Sequence, residues 1–414
     1  MGVCLVAFPM PILVQKFGGT SVADAYRIHL AARRAVRALL DGNQVVMVVS
    51  AMGHTTDHLV RLARDVTRHP SKREMDMLLS TGEQVSIALV AMAIHEAGYD
   101  AISLTGPQIG LLTDSRHTEA RIQTINTDRI RRQLDQGRIV IVAGFQGVDP
   151  DFNITTLGRG GSDTTAVALA SALGAAVCEI YTDVPGVYTA DPRAVPRARK
   201  LERIGYDEML ELAALGAGVM HPRSIELGMK FNVPIHVRSS FTEESGTMIM
   251  SETPGMEEIV VRGCTLKPDV GRVTLVGLPN RPGIENTLFE PLARRQIIVD
   301  DIIQLIAPGG QTVSLSFTVA GPVLGEAQAM AETVAGRYSG VQFAIQKDLA
   351  KLSAVGAGMR SHSGVAAAMF AALAAQRINI ENISTSEIVI SVLVRASDGD
   401  RALAAVHRAF GLEE

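Results

Sequence analysis

Ile12-Leu13-Val14-Gln15-Lys16-Phe17-Gly18-Gly19-Thr20-Ser21 is the stretch on which the fold turns. An apolar β-branched run, starting around Met10 and clear over Ile12 to Val14, meets a glycine pair and two hydroxyl residues. An Ala/Leu/Arg-rich helical pattern follows from Ala23 to Leu40. The order is therefore strand, tight turn, helix. It recurs to about residue 250, with strands expected at Val45 to Val49, Ala101 to Leu104, Ile139 to Val142, Cys178 to Thr182 and Ile235 to Val237. Helical patterns at Gln84 to Ala97 and Thr164 to Leu173 lie between them. Such alternation predicts an α/β fold: a mainly parallel sheet with helices on both faces. Ligands in such sheets gather beyond the carboxyl ends of the strands.

Composition shifts after residue 240. Phe241 to Glu258 is rich in Ser, Thr, Glu, Gly and Met and has the character of a linker. An internal repeat follows, Arg272 to Gln304 and Lys351 to Thr385, each copy running strand, Gly-containing loop, helix, strand. Further strands are expected at Thr312 to Val319 and Glu387 to Val394. Two units of that size suit two small ferredoxin-like modules. The boundaries that follow are 10–250, a linker over 251–270, and modules over 271–345 and 346–414.

The whole chain has 414 residues, 47% of them apolar, no Trp and a net charge of −4. That charge argues against nucleic acid and an anionic membrane surface as partners. Cys4, Cys178 and Cys264 are far apart and form no C-x-x-C pair. A disulfide framework or zinc site is not expected, and a reducing compartment is. Met1 to Gln15 is apolar without a basic start, unlike a secretory signal. Val6 stands where lipidation of Gly2 would want Ser or Thr. No other stretch is expected to span a membrane.

Five segments carry candidate chemistry. In Lys16 to Ser21 the glycines admit close approach of backbone amides to a phosphate, and Lys16 adds a positive charge. The structural alternative is an ordinary βα turn with Thr20 or Ser21 as N-cap. Gly158-Arg159-Gly160-Gly161-Ser162-Asp163-Thr164-Thr165 again opens a helix, with Arg159 suited to a carboxylate. A capped helix with a surface ion pair is the alternative. Two such loops favour a polyanion such as ATP. Glu83, in Ser80-Thr81-Gly82-Glu83-Gln84, suits a helix N-terminus through the dipole alone. Ser50 to Asp57 is a loop of small and hydroxyl residues beyond a strand. Tyr181 to Arg193 has a Pro-Gly turn and an Asp-Pro loop. There is neither a Walker loop nor a dinucleotide fingerprint.

Together, KFGGTS, LLSTGEQ, TTLGRGGSDTTA and EIYTDVPGVYTADPR resemble the aspartate kinases, a branch of the amino-acid kinase superfamily. The resemblance runs from Ile12 to the C-terminus. It implies a three-layer α/β sandwich with a mainly parallel sheet, followed by tandem ACT (βαββαβ) modules. It implies Lys16 on the transferring phosphoryl group, Asp163 organising the phosphate-binding cations, and Gly18 and Gly19, with Phe17, as a backbone cradle. Glu83 is implied to hold the substrate ammonium, Arg159 the α-carboxylate, with Thr56 and Ser162 as further substrate contacts. Ser50, Thr182, Asp183, Tyr188, Asp191 and Arg193 match the nucleotide side. ATP with Mg2+ is the implied cofactor pair, with no protein-held metal, and L-aspartate the acceptor. The implied reaction opens lysine, threonine, methionine and diaminopimelate biosynthesis.

There are departures. Gly218 falls where several relatives carry Lys, leaving Arg193 or Arg223 as the second cation; His221 is expected to be structural. In the repeats, the Gly277 to Gly283 loop with Asp300 and Gln304, and the Gly356 to Gly364 loop with Asn379 and Ile380, match effector sites for lysine, threonine or both. A homo-oligomer through the ACT modules is implied. Met256-Glu257-Glu258 resembles an internal start site, which leaves an α2β2 assembly open. A cytoplasmic location is expected. The rivals are another amino-acid kinase and a catalytically dead sensor.

Overall fold

The computed structural model describes residues 10–251, 260–360, 362 and 364–413. The expectations for the first nine residues, Cys4 included, and for Met256 to Glu258 lie outside the described residues. The chain divides into two compact units, one drawn from 1–188, 200–214 and 218–256, the other from 189–199, 215–217 and 257–414.

The first unit runs β1 (Ile12–Phe17), α1 (Ala25–Leu40), β2 (Gln44–Val49), α2 (Thr55–Val66), α3 (Lys72–Leu79), α4 (Thr81–Glu96), β3 (Ala101–Leu104), β4 (Leu111–Thr113) and β5 (Ile122–Ile125). It continues with α5 (Asp128–Leu134), β6 (Ile139–Ala143), β7 (Gln146–Val148), β8 (Ile154–Thr156), α6 (Gly161–Leu173), β9 (Val177–Thr182), β10 (Arg203–Gly205), α7 (Tyr206–Ala214), α8 (Pro222–Phe231), β11 (Ile235–Ser239) and β12 (Thr247–Met250). The main sheet has the order β10-β12-β11-β9-β1-β2-β6-β3. Every pairing is parallel except β11 with β12. Val45, Met47 and Val49 of β2 share a core with Ile28 and Ala35 of α1 and Ile87, Val90 and Ile94 of α4. α6 packs against β1, β2 and β9 and is buried on nearly every side. The sheet is thus the middle of three layers, as expected.

A second sheet, β5-β4-β7-β8, was not legible in the sequence. Its strands are three or four residues long, too short to display a period of two. The structural alternative of a Thr20 or Ser21 cap is not what forms. Gly19–Val22 forms a 3-10 turn, and α1 is capped by the Asp24 side chain, which accepts from Arg27 N. Ser21 Oγ instead meets Ser240 Oγ at 2.5 Å. Lys72–Glu96 has the length and mean hydropathy of a membrane span, contrary to the expectation that none exists. It breaks at Ser80, and the α4 half is apolar because it faces the sheet core.

The second unit contains β13 (Gly263–Pro279), α9 (Asn286–Arg294), β14 (Ile302–Ile306), β15 (Thr312–Ala320), α10 (Leu324–Ala335), β16 (Gln342–Val355), α11 (Val365–Ala375), β17 (Asn382–Thr385), β18 (Val389–Arg395) and α12 (Gly399–Ala409). All six strands form one antiparallel sheet, β14-β15-β13-β16-β18-β17. Part of the linker expected over 251–270 is therefore strand from Gly263 on. Pro268-Asp269 reads as a breaker, but Asp269 takes φ 55 and the register shifts there while β13 continues. β13 pairs through Lys267 with the Lys351–Val355 part of β16, and beyond Arg272 with its Gln342–Gln346 part. Each long strand therefore serves both repeats. The repeats also brace each other: Arg272 Nη1 donates to Glu381 O at 2.8 Å, and Lys351 Nζ to Asp300 Oδ1 at 3.1 Å and Asp301 Oδ1 at 3.0 Å.

Both ends of α6 use left-handed glycines, Gly160 (φ 66) and Gly174 (φ 65). A Cβ at Gly160 would lie 2.2 Å from His221 Cβ, whereas one at Gly174 would meet open space. Gly174→Ala is expected to cost about 1–2 kcal/mol from backbone strain alone, and Gly160→Ala clearly more, from overpacking as well. Denaturant midpoints of the two variants measure the difference; equal losses would refute the packing account.

Candidate active site

The carboxyl ends of β1, β2 and β6, neighbours in the sheet, carry the expected chemistry. Lys16 Nζ lies 2.6 Å from Asp163 Oδ1, with both side chains mostly buried. The contact is out of line for a hydrogen bond, and Asp163 Oδ1 has no other partner among the described residues. Asp163 comes from the first turn of α6, whose N-terminus no side chain caps. The loop after β1 locks onto the loop after β2: Gly53 N donates to Gly19 O at 3.0 Å, and Ser50 N to Phe17 O at 3.1 Å. A Cβ at Gly19 would sit 2.8 Å from Ala51 O, which explains the glycine by close approach. Gly144, after β6, gives room to Ser162, whose Oγ would be 2.6 Å from a Cβ there. Lys16, Gly19, Ser50, Ser162 and Asp163 are thus tied together by contacts within one unit.

Glu83 lies in the first turn of α4 and is 3% exposed. Its Oε1 accepts from Ala51 N at 3.0 Å, while its Oε2 is buried with no partner among the described residues. Burial pushes its carboxyl up to about 7, against the pull of the Ala51 amide. A carboxylate held dry, with one free oxygen at the phosphate-side loop, suits a ligand ammonium. Arg159 is exposed and, among the described residues, has no ion pair. Thr56 is half-buried in the first turn of α2.

Of the nucleotide-side expectations, Phe17 stacks on Tyr181, ring centres 4.7 Å apart, so it belongs to the support beneath the loop. Thr182 ends β9, and its Oγ1 donates to Asp183 Oδ1 at 3.2 Å. Tyr188 forms an isolated bridge with Lys200. Asp191 and Arg193 belong to the second unit. They pair with each other at 2.8 Å, in a segment that packs within the second unit. There Thr189 Oγ1 meets His407 Nε2 at 2.9 Å and Cys264 N donates to Thr189 O at 2.7 Å. Arg223 is a brace, donating to Leu157 O and Ala120 O, both at 2.9 Å. His221 caps α8 by accepting from Arg223 N and packs on Gly160. Gly218 faces open space.

Sequence reasoning missed the Ala51 amide, Gly144 and the buried Glu179. Glu179 accepts from Gln15 Nε2, Tyr181 Oη and Arg238 Nη1 at 2.9–3.0 Å. A Gln and a Glu inside two apolar strands were the available signal. In the second unit Asp300 is already paired with Lys351 and lies 3.8 Å from Lys267 Nζ. Gln304 and Asn379 are exposed and Ile380 half-buried.

The Amino acid kinase family model matches residues 11–239, and an ACT domain model matches 352–410. An aspartokinase of Geobacillus stearothermophilus is 53% identical over 405 residues, covering 98% of both chains. The solved E. coli aspartokinase III in complex with aspartate and ADP superposes with a TM-score of 0.80 at 26% identity, covering 96% of this chain and 99% of that one. The same enzyme in complex with lysine and aspartate gives 0.78, also at 26% identity and with the same coverage.

The Glu83 shift carries a sign. The folded state holds the proton between about 4.5 and 7 while the unfolded chain releases it. Stability is therefore lost as pH rises through that window, by about 3 kcal/mol at most. Glu83→Gln keeps the acceptor for Ala51 N and is expected to match the native chain near pH 4 and exceed it at pH 8. Thermal unfolding at both pH values decides it; equal stability at pH 8 would remove the desolvation argument.

Proposed function

The chain belongs to the amino acid kinase family and, within it, to the aspartokinases, and from that premise we propose that it transfers the γ-phosphoryl group of ATP to the side-chain carboxylate of L-aspartate. The products are 4-phospho-L-aspartate and ADP. The observation that carries the reading is the buried Lys16–Asp163 contact at the carboxyl end of β1, tied to the loop that Glu83 grips. The acceptor carboxylate is already a nucleophile at neutral pH, so no general base is required. It attacks phosphorus in line as the bond to the ADP oxygen breaks. The chain's part is positioning and charge stabilisation.

Each residue has a physical task. Lys16 neutralises charge on the transferring phosphoryl oxygens, and Asp163 holds the ammonium in place. The Gly18-Gly19 backbone and the uncapped α6 N-terminus supply amides to the phosphates. Glu83 binds the α-ammonium, and binding draws it to the ionised form. Arg159 takes the α-carboxylate, with Thr56 and Ser162 beside them. Ser50, Thr182, Asp183 and Tyr188 serve the nucleotide. Mg2+ fits as a companion of the triphosphate: Asp163 Oδ1 is a buried carboxylate oxygen with no hydrogen bond among the described residues besides its ion-pair contact with Lys16, and Mg2+ commonly joins one or two carboxylates to phosphate oxygens. When bound, it screens the β- and γ-phosphate charge.

The second unit is proposed to sense lysine, alone or with threonine, through Asp300, Gln304, Asn379 and Ile380. The step would open lysine, threonine and methionine biosynthesis in the cytoplasm, where the buried thiols Cys178 and Cys264 stay reduced. Edge strand β14, with Ile302, Leu305 and Ile306 exposed, offers a surface for a homo-oligomer.

ADP release with Mg-ATP is expected to depend on L-aspartate and to fall when lysine, or lysine with threonine, is added. Lys16→Ala is expected to lower kcat by about 10²–10³, as for loss of one preorganised charge-stabilising donor. Near-normal turnover of that variant, or ADP release indifferent to aspartate, would sink the assignment.

A further inference from the structure

Asp76 is a carboxylate with no part in the chemistry above, and it is the most completely buried acid in the first unit, at 0% exposure. It accepts from Thr118 N on both oxygens, 3.0 and 3.1 Å, from His117 Nδ1 at 2.8 Å, and from Thr156 Oγ1 at 2.5 Å. All its donors come from the small sheet side, residues 117–118 and 156. An apolar residue would fill the same space without the desolvation cost of a charge. The burial of a charged acceptor calls for an account beyond packing.

The account lies in what stands on either side of it. Asp76 on α3 and Glu83 on α4 are seven residues apart along a helical run interrupted only at Ser80, whose φ and ψ remain helical. That spacing puts the two carboxylates on one helical face. The break itself is pinned, since Gln146 Nε2 donates to Ser80 O at 2.9 Å. On the other side, Thr156 is three residues before Arg159. Thr118, held by both Asp76 oxygens, takes a left-handed φ of 73 that a β-branched residue avoids. Its carbonyl oxygen would be 3.1 Å from a Cβ at Gly158, the residue before Arg159 and itself left-handed. One buried carboxylate thus indexes the helix that carries the ammonium clamp against the turn that carries the carboxylate clamp.

We propose that Asp76 is a positioning residue that sets Glu83 and Arg159 in register for the α-amino and α-carboxylate groups of the amino-acid substrate, by holding Thr118 in its left-handed conformation and bonding Thr156. The inference rests on the clamp roles given to Glu83 and Arg159 above. It distinguishes the substrate side of the site from the phosphate side, because Lys16 at the end of β1 and Gly19 in the turn after it are not among the groups Asp76 bonds.

Steady-state kinetics of the full chain tests it. Asp76→Asn is expected to raise KM for aspartate about tenfold or more while KM for ATP changes less than about twofold. Adding Thr118→Gly, which adopts the left-handed conformation unaided, is expected to restore most of the lost aspartate affinity. Thr156→Val keeps the other three contacts and gives a smaller shift of the same kind, so it serves if Asp76→Asn fails to fold. The proposal is overturned if both KM values move together, if neither moves, or if Thr118→Gly brings no recovery. Glu83→Gln is the control: an unchanged aspartate KM there would bring down the clamp assignment, whereas a raised one with unmoved Asp76 variants would bring down only the positioning role.

Discussion

An ammonium and a carboxylate held 2.6 Å apart at the open end of a parallel sheet set the terms for the rest of the first unit. Neither Lys16 nor Asp163 is solvated enough to be stable alone, and neither is supplied with a full set of hydrogen bonds. Such a pair persists only where the backbone around it is over-determined. Here that is achieved by parallel pairing of β1 with both β2 and β9, by the Gly19–Gly53 interlock, and by the seating of Ser162 against Gly144. The sheet topology is therefore not a passive platform. It fixes three neighbouring carboxyl ends so that a strand end and a helix start distant in sequence deliver opposite charges to one place.

Glu83 shows the same economy from the energetic side. Its burial raises the carboxyl to about 7 and destabilises the empty fold at neutral pH. A ligand ammonium removes that penalty, because the ion pair favours the charged form. On the assignment of Glu83 to the α-ammonium, the strain of the buried carboxyl becomes preference for a cationic α-amino group. Gln would keep the acceptor for Ala51 N without the cost of burying a charge.

What the sequence disclosed follows from length and periodicity. β2, β6 and β9 are apolar runs long enough to announce themselves, and helical patterns alternate with them, so six of the main sheet's eight strands were legible; β10, three residues long, and β12, within the Phe241 to Glu258 stretch read as linker, were not. β4, β5, β7 and β8 carry three or four residues each and no alternation, and the small sheet was not. Lys16, Glu83 and Asp163 stood out because glycines or helix starts flanked them. Asp76 did not, because an acid within a charged helix has nothing local to mark it; its partners are 41 to 80 residues away. Asp191 and Arg193 follow Tyr188 without a break in the motif, yet the chain passes into the other unit between Tyr188 and Thr189. A linear motif carries no sign of that crossing.

The second unit repeats the theme of opposed charges with a twofold pattern. Arg272 and Lys351 occupy equivalent places in the two repeats, as do Asp300 and Glu381. Each base reaches across to the other repeat: Arg272 to Glu381, and Lys351, 3% exposed, to Asp300. Because β13 and β16 each run through both repeats, these braces close a sheet that is already continuous. Neither repeat can shift its acidic loop without disturbing the first strand of the other. An ammonium arriving at Asp300 therefore meets a carboxylate already bonded to Lys351, and it must either share that oxygen or displace an internal amine. Displacement would leave a nearly buried cation with Asp301 as its remaining carboxylate partner, a costly state that the whole six-stranded sheet would have to accommodate.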